Sequence, residues 1–245
     1  QPTGQPTSVP SGFCNVEPID LGNATTFVVL GYASISGVGS TVLGGDLGLF
    51  PGSLVTSSDS FYYENSGGEH ISDYLAERAV LDMAVAYLHA KNRQFPAATL
   101  LPQAVPVEDE TFTCGIYKIV GDLHLQGVIY LDGGNNPNSV FIFQISGSLI
   151  TDPDSEIVLL NGATALNVFW QVGGSATLGS YSLFRGTILS FCRITAQEGV
   201  NVEGRLLADS RYLIDTVISR NYYVPEGAGE WASTVPTSSP SNYPW

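Results

Sequence analysis

The sequence is poor in charged residues, and poorest in positive ones. Charged residues make up 13% of the 245-residue chain, with 9 lysines and arginines against 23 aspartates and glutamates, a formal net charge of −14. Nucleic acids and anionic membranes are bound through basic surfaces, so we expect neither as a partner. No apolar run reaches the ~18 residues that a membrane-spanning helix needs.

Cysteine is also scarce. The chain has three, Cys14, Cys114 and Cys192, so at least one thiol is unpaired. Because there is no CxxC motif and no Cys/His cluster, we expect no zinc site. Asp152, Asp154 and Glu156 could ligate calcium through their oxygens, but acidic turns are usually just solvated, so we expect no other metal and no cofactor. Cys14 lies where an N-terminal tail meets the fold and Cys114 where the later coils begin, so we expect a disulfide between them. Cys192 is interpreted as a reduced core residue.

Patterns for catalysis are missing as well. The sequence has no GxSxG motif and no Cys/His pair that would form an activated nucleophile. Its acidic residues fall at scattered corners of the predicted coils, without the paired arrangement that a glycosidase needs. The sequence therefore predicts a protein that is not an enzyme.

What the sequence does contain is a weak internal repeat. Five apolar segments recur, each followed by two short alternating stretches; they span 115–120, 140–145, 167–172, 186–191 and 204–209. Three short strands per unit, at a period of roughly 18–27 residues, are typical of a stacked β-coil. A further coil of this type is predicted near the N-terminus, over 26–49. The fold class is therefore mainly β: a three-sided solenoid.

One segment departs from this pattern. Over about 69–94 the apolar residues recur at helical spacing, with acids early and bases late. The recurring apolar strands need cover on both faces, so this helix should lie along one side of the solenoid and leave two sides exposed. We expect one solenoid domain over 20–224, between flexible tails at 1–19 and 225–245.

Several stretches resemble the microbial and algal ice-binding (antifreeze) proteins. They are 41–52 (TVLGGDLGLFPG), 128–145, 158–180 (VLLNGATALNVFWQVGGSATLGS) and 202–208 (VEGRLLA). The resemblance runs in order over roughly residues 20–220, the extent expected of one repeat domain. It implies a discontinuous, triangular, right-handed β-solenoid with a flanking helix, in which the N-terminal coil joins the stack out of sequence order.

The same resemblance implies a function. Members of this family adsorb to ice crystal planes, slow growth and recrystallisation, and perform no chemistry. They are secreted, and the Pro/Thr-rich start at Gln1 reads as the remnant of a cleaved signal peptide. Asn23 begins an Asn-Ala-Thr glycosylation sequon; with the tail it favours a eukaryotic alga, such as a sea-ice diatom, as the source. The expected partner is the ice surface, bound by a monomer.

Alternation along the strands indicates which exposed side contacts ice. We call the stretches directly after the apolar segments the first free side, and the next ones the second free side. On the first free side, small or uncharged residues are predicted to point outward: Ser34, Ser36, His124, Ser148, Ile150, Ser175, Thr177, Thr195 and Leu213. Short, stiff Thr side chains suit a flat adsorbing surface. The row has no regular Thr-x-Thr ladder, so we expect moderate thermal hysteresis.

The second free side is predicted to be rougher. Its outward residues would be Tyr130, Leu159, Leu183 and Asn201, edged by Asp132, Arg185 and Glu203. Bulky rings and charged corners are poor material for a flat contact, so the first free side is the predicted ice face. A polysaccharide-binding or adhesin solenoid is the alternative function, since such coils also hold extended chains.

Overall fold

The computed structural model describes residues 16–38, 40–56, 61–64, 67–94, 98–101, 106–209, 216–219 and 222–224. Twenty-three strands, numbered β1–β23 in chain order, pair in parallel and wind into a three-sided solenoid. Two sides belong to one 15-stranded sheet and the third side is a separate 8-stranded sheet. The predicted mainly β, triangular solenoid is confirmed.

The strands sort by side. On the helix-covered side lie β1 (Phe27–Gly31), β4 (Asp46–Leu49), β7 (Glu69–Ile71), β8 (Thr99–Leu100), β11 (Gly115–Ile119), β14 (Phe141–Ile145) and β17 (Val168–Val172). On the first free side lie β2 (Ser34–Val38), β5 (Leu54–Thr56), β9 (Val107–Glu108), β12 (Leu123–Gln126), β15 (Leu149–Thr151), β18 (Ala176–Leu178), β20 (Ile194–Ala196) and β22 (Thr216–Ser219). On the second free side lie β3 (Thr41–Leu43), β6 (Phe61–Tyr63), β10 (Thr111–Thr113), β13 (Val128–Asp132), β16 (Glu156–Leu160) and β23 (Tyr222–Val224).

Two long strands, β19 (Leu183–Ser190) and β21 (Asn201–Ala208), run through a corner and so belong to two sides. The corner residues are Gly186 and Gly204, which pair with each other and have φ of +114° and +151°. A Cβ on Gly204 would lie 2.0 Å from the carbonyl oxygen of Gly186. Only glycine fits this corner, because a side chain would meet backbone.

The N-terminal coils join the stack out of sequence order. Strand β1 pairs with β21, β2 with β22 and β3 with β23, so the first coil follows the last one in space. This confirms what the resemblance implied. The sequence predicted one early coil, but there are two, because β4, β5 and β6 pair with β1, β2 and β3. A further short coil, β8–β10, precedes β11 at the other end.

A single long helix, α1 (Tyr74–Lys91), returns the chain along the stack. The helix-covered side runs through nine strands from β7 to β8, both included, and the eight spacings between them at ~4.8 Å amount to about 38 Å. An 18-residue helix rises about 27 Å, so α1 covers most of that distance. The helix therefore connects one end of the solenoid to the other while it covers one side.

The helix begins later than the sequence predicted. Residues 69–71 were expected to be helical but form β7, which pairs with β4. The left-handed backbone of Ser72, with φ of +53°, then breaks the strand. Asp73 caps the helix, since its carboxylate accepts a hydrogen bond from the Ala76 N–H at 2.8 Å. Strand pairing therefore decides the start, five residues after the predicted one.

The core has two parts. Inside the solenoid, Tyr117, Phe143 and Trp170 stack across successive rungs, with ring centroids 5.1 and 4.0 Å apart. Between the helix and its side, alanines of α1 allow close packing on apolar strands; the buried set includes Ala79, Met83, Ala86, Ile142, Phe169, Leu189 and Leu207. Trp170 also donates its indole N–H to the Arg185 carbonyl at 3.0 Å. Both parts bury their apolar surface almost completely.

The predicted N-terminal tail, residues 1–19, is too long. Val16 and Ile19 are buried in the core beneath the helix, so the fold begins by residue 16 and not at residue 20. The remaining tail residues, 1–15 and 225–245, lie outside the described ranges. Among the described residues, no helix is both long and apolar enough to cross a membrane.

The structure agrees with part of what the sequence predicted for the cysteines. Cys114 is disulfide-bonded, whereas Cys192 is a free, half-buried thiol whose pKa is raised by burial. Cys14 lies outside the described residues, so its pairing with Cys114 stays a prediction.

Candidate functional site

The first free side carries a row of side chains in register across successive rungs. Seven positions align in register in this row: Thr56, Ser36, Val217, Thr195, Thr177, Ile150 and His124. Ser36, Thr195, Thr177, Ile150 and His124 alternate along their strands with buried residues, among them Leu149, Ala176 and Ile194. No pairing of this sheet contains a register shift, so rungs follow each other at the ~4.8 Å spacing of neighbouring strands.

Most of the predicted site residues meet in or beside this row. Ser36, His124, Ile150, Thr177 and Thr195 stand in it, and all are at least partly exposed. Ser148 and Ser175 occupy the neighbouring outward positions, two residues before Ile150 and Thr177, and are half-buried. The side chain of Ser148 accepts a hydrogen bond from the Ser175 N–H at 3.4 Å.

Two predicted members do not belong to the surface row as expected. Ser34 is only 4% exposed, although its register partner Leu54 on the neighbouring rung is 61% exposed. Leu213 falls outside the described residues, and Val217 takes the register position assigned to it. The sequence misplaced this rung because β20 starts at residue 194, soon after β19 ends at 190, whereas β22 starts at 216 after β21 ends at 208.

Thr56 is a member of the row that the sequence analysis missed. It pairs with Ser36 and is exposed. The signal that could have found it is the spacing of 54–56 and 61–63, which repeats that of 34–38 and 41–43. The predicted early coil ended at residue 49, so the second coil and Thr56 were not predicted.

A polar cluster closes one end of the row. The His124 Nε2 lies 2.5 Å from Oδ1 of Asp152, and the Gln126 side-chain amide donates to Oδ2 of Asp152 at 2.6 Å. The hydrogen bond with His124 holds the pKa of Asp152 below its ordinary value of 3.8. Charged residues therefore flank the row on this side: Asp152 lies two residues after Ile150, and the exposed Arg193 lies two residues before Thr195.

The second free side is organised around an arginine. Arg185 Nε lies 2.9 Å from Glu203 Oε2, and its Nη1 lies 3.5 Å from Glu156 Oε1, while Nη1 also donates to the Ile157 carbonyl. These residues stand on three successive rungs, so a charged ridge crosses the side. Two large apolar side chains are exposed on the same side, Leu183 at 37% on a ridge strand and Tyr62 at 55% three strands away from the ridge.

One outward residue of the second free side was predicted wrongly. Leu159 was expected to point outward with Tyr130, but the register pairs Leu131 with Leu159 and Tyr130 with Val158. Leu159 therefore packs against the solenoid core. A one-residue slip in phase reverses the face of every side chain in a strand, and the near-continuous apolar run 157–160 gives no alternation to fix that phase.

The predicted glycosylation site lies far from both free sides, beside the helix. Asn23 is exposed in a short 3-10 helix (Gly22–Thr26), and its side-chain amide donates to Asp82 Oδ2 at 2.5 Å. The backbone N–H of Asn23 donates to the same oxygen at 2.8 Å. These bonds lower the pKa of Asp82. The nitrogen that a glycan would modify thus ties the N-terminal segment to α1.

Within the described ranges, no group of three or more His, Cys, Asp or Glu residues is arranged to hold a metal ion. The acidic turn around Asp152 is instead bonded to His124 and Gln126.

The fold and this side together define a class of protein: discontinuous parallel β-solenoids with a flanking helix and, on one free side, a row of mostly uncharged residues in register. The chain belongs to the Ice-binding-like family, whose family model matches residues 29–218.

Individual relatives agree with this membership. The chain is 37% identical to an ice-binding protein of Nostoc sp. (strain HG1) over 195 residues, which cover 78% of this chain and 69% of the relative. It is similar to the crystal structure of an ice-binding protein from the Antarctic ascomycete Antarctomyces psychrotrophicus, with a TM-score of 0.78, 33% identity, and coverage of 84% of this chain and 98% of that one. An ice-binding protein from an Antarctic biological consortium gives a TM-score of 0.81 at 32% identity, over 86% and 92% of the two chains.

Proposed function

We propose that the protein adsorbs to ice through the first free side, and that its biological effect is to inhibit ice growth and recrystallisation with moderate thermal hysteresis. The observation that carries the proposal is the outward row from Thr56 to Ile150, whose residues are all uncharged and stand in register on neighbouring rungs. The relatives named ice-binding proteins support the same assignment.

The chemistry of the row suits a surface made of ordered water. Methyl groups of Thr177, Thr195 and Ile150 gain free energy when they leave bulk water, and threonine and serine hydroxyls can hold bridging waters. Threonine is stiff at χ1, so little rotamer entropy is lost when the side is pressed against a crystal. Each contact is weak, and a large simultaneous fit is what gives adsorption.

The proposal includes three further points. The protein acts without catalysis, as a monomer, and outside the cell. The disulfide at Cys114 supports the extracellular assignment, because disulfides persist in oxidising compartments.

The test is a pair of double variants. Thr177 and Thr195 are register partners on the first free side, and Leu183 and Asn201 are register partners on the second. We expect Thr177→Tyr with Thr195→Tyr to lower thermal hysteresis and recrystallisation inhibition several-fold, since two rings would hold the sheet away from the crystal. Leu183→Tyr with Asn201→Tyr adds similar bulk at an equivalent place and should leave both activities near the wild-type level.

The reverse pattern, with activity lost only in the second pair, would assign ice contact to the second free side. Circular dichroism of both variants establishes that each is folded before the activities are compared.

A further inference from the structure

A cavity of about 490 Å³ opens where the C-terminal end of α1 meets strands β11, β14 and β17. Its wall contains the two lysines of the whole chain, Lys91 and Lys118, together with Arg93. Amide and hydroxyl side chains complete the polar lining, including Gln94, Gln144 and Ser146, and none of the described residues that line it is acidic. The volume lies within the range of small-molecule sites, roughly 300–1,000 Å³.

This concentration of positive charge is unusual for the protein. Three of its 9 basic residues line one cavity, although acids outnumber bases by 23 to 9. Elsewhere basic groups are engaged: Arg185 with two glutamates, and buried Arg205 with the Thr25 carbonyl at 2.9 Å. No ion pair joins Lys91, Arg93 or Lys118 to a carboxylate of the described residues. Like charges placed together repel one another unless an anion joins them.

The negative end of the helix dipole explains only part of the arrangement. Lys91 lies in the last turn of α1, where a cation is favoured. Lys118, however, stands on β11 with its side chain exposed, and it has no helix to complement. The last carbonyls are also satisfied otherwise, since the Gln144 amide donates to the carbonyls of Ala90 and Arg93 at 2.8 and 2.7 Å.

The Arg93 side chain is loosely held. Its Nη2 lies 3.2 Å from His89 Nε2 and 3.5 Å from the Pro18 carbonyl, and its Nε has no partner among the described groups. A guanidinium that turned toward the cavity would gain charge-assisted hydrogen bonds with an oxyanion. Lys91, Lys118 and Arg93 thus all line the cavity, and a negative group bound there would reduce the repulsion between them.

We infer that this cavity binds an acidic saccharide, through a carboxylate or sulfate group held by Lys91, Lys118 and Arg93. The cavity is much larger than an inorganic anion, and the amides of Asn92 and Gln94 in its wall suit sugar hydroxyls. It opens on the helix-covered side, near the corner that leads to the first free side, because Ser146 and Gly173 of its lining lie two residues before Ser148 and Ser175. The three basic residues lie on α1, in the segment that follows it and on β11, and none of them belongs to the row of the first free side.

Titration calorimetry at low ionic strength tests this inference with three probes: a glucuronate trisaccharide, a neutral glucose trisaccharide and inorganic sulfate. We expect the glucuronate trisaccharide to bind, more weakly as salt is added, and the neutral one not to bind. Lys91→Ala with Lys118→Ala should weaken binding about tenfold through the loss of two charge contacts. Arg78→Ala with Arg193→Ala removes the same charge elsewhere and should leave the Kd unchanged.

Four results would overturn the inference: no glucuronate binding, equal binding of the neutral trisaccharide, an equal loss in the control pair, or sulfate binding as tightly as the saccharide. The Lys91/Lys118 variant should keep wild-type thermal hysteresis, so failure here is distinguishable from failure of the proposed ice face.

Discussion

The two free sides are built from the same coils, yet they offer different surfaces. Both consist of short parallel strands whose alternate residues point outward at one spacing. Across successive rungs the first side presents Thr177 and Thr195, whereas the second presents Arg185 between Glu156 and Glu203. The backbone ladder thus supplies regularity to both sides, and side-chain length and charge decide which one can fit a crystal.

The largest expected effect is a loss of fold stability, which concerns both free sides equally. Trp170 is fully buried and stacks on Phe143 inside the core that both free sides share, so Trp170→Ala should destabilise the fold by about 3–5 kcal/mol. Tyr62→Ala removes an exposed ring of the second free side and should change stability by less than about 0.5 kcal/mol. Denaturant unfolding measures both. Equal losses would mean that the stacked ladder is not the common support of the sides.

The next effect separates the sides by charge. Thr195→Glu puts a hydrated carboxylate into the row of the first free side, and thermal hysteresis should fall several-fold because that charge must be desolvated on ice. Asn201→Glu makes an equivalent change on the second free side and should leave hysteresis unchanged. A nanolitre osmometer measures the two. If Asn201→Glu proved the more harmful, the roles of the two sides would be reversed.

A smaller effect concerns the end of the row. His124→Thr would extend the uncharged row by one rung, so thermal hysteresis should rise slightly. The variant also removes the hydrogen bond that lowers the pKa of Asp152. A carboxyl with a lowered pKa contributes stability above its ordinary value of 3.8 and loses it as pH falls further. The unfolding temperature of the variant should therefore depend less on pH below 3.8; an identical acid limb would contradict the role of this bond.

The smallest effect is expected on the charged ridge. Glu203→Gln weakens the partly exposed pair with Arg185, and should cost less than about 1 kcal/mol. Hysteresis should stay at the wild-type value, because the ridge lies off the proposed ice face. Thermal unfolding at low and high salt measures the pair, and loss of hysteresis in this variant would implicate the second free side.

Much of the fold could be predicted, because the later coils combine apolar strands with alternating rungs. The existence of α1 followed from its periodicity, but its start did not, since residues 69–71 suit either a helix or a strand until β4 is there to pair with. The out-of-order joining of the N-terminal coils came from the resemblance alone. No local pattern encodes a pairing such as that of Val29 with Leu206.

The candidate site was predictable where a rung is short and strictly alternating, as at Thr177 and Thr195. The prediction failed where more than one stretch shows the alternation of a strand. The stretches 211–215 and 215–219 both alternate in sequence, so Leu213 was predicted for the position that the strand register gives to Val217. Thr56 was missed because the predicted early coil ended at residue 49, before strand β5 begins.

The pairing of the first coil with the last has a consequence for biosynthesis. Strands β1–β3 leave the ribosome first, but their partners β21–β23 are translated last. Until then the nascent chain exposes the edges of its earliest strands, which are prone to pair wrongly with other chains. The solenoid therefore closes only after β21–β23 have been made, and a product that stalled before them would leave the first coil without these partner strands.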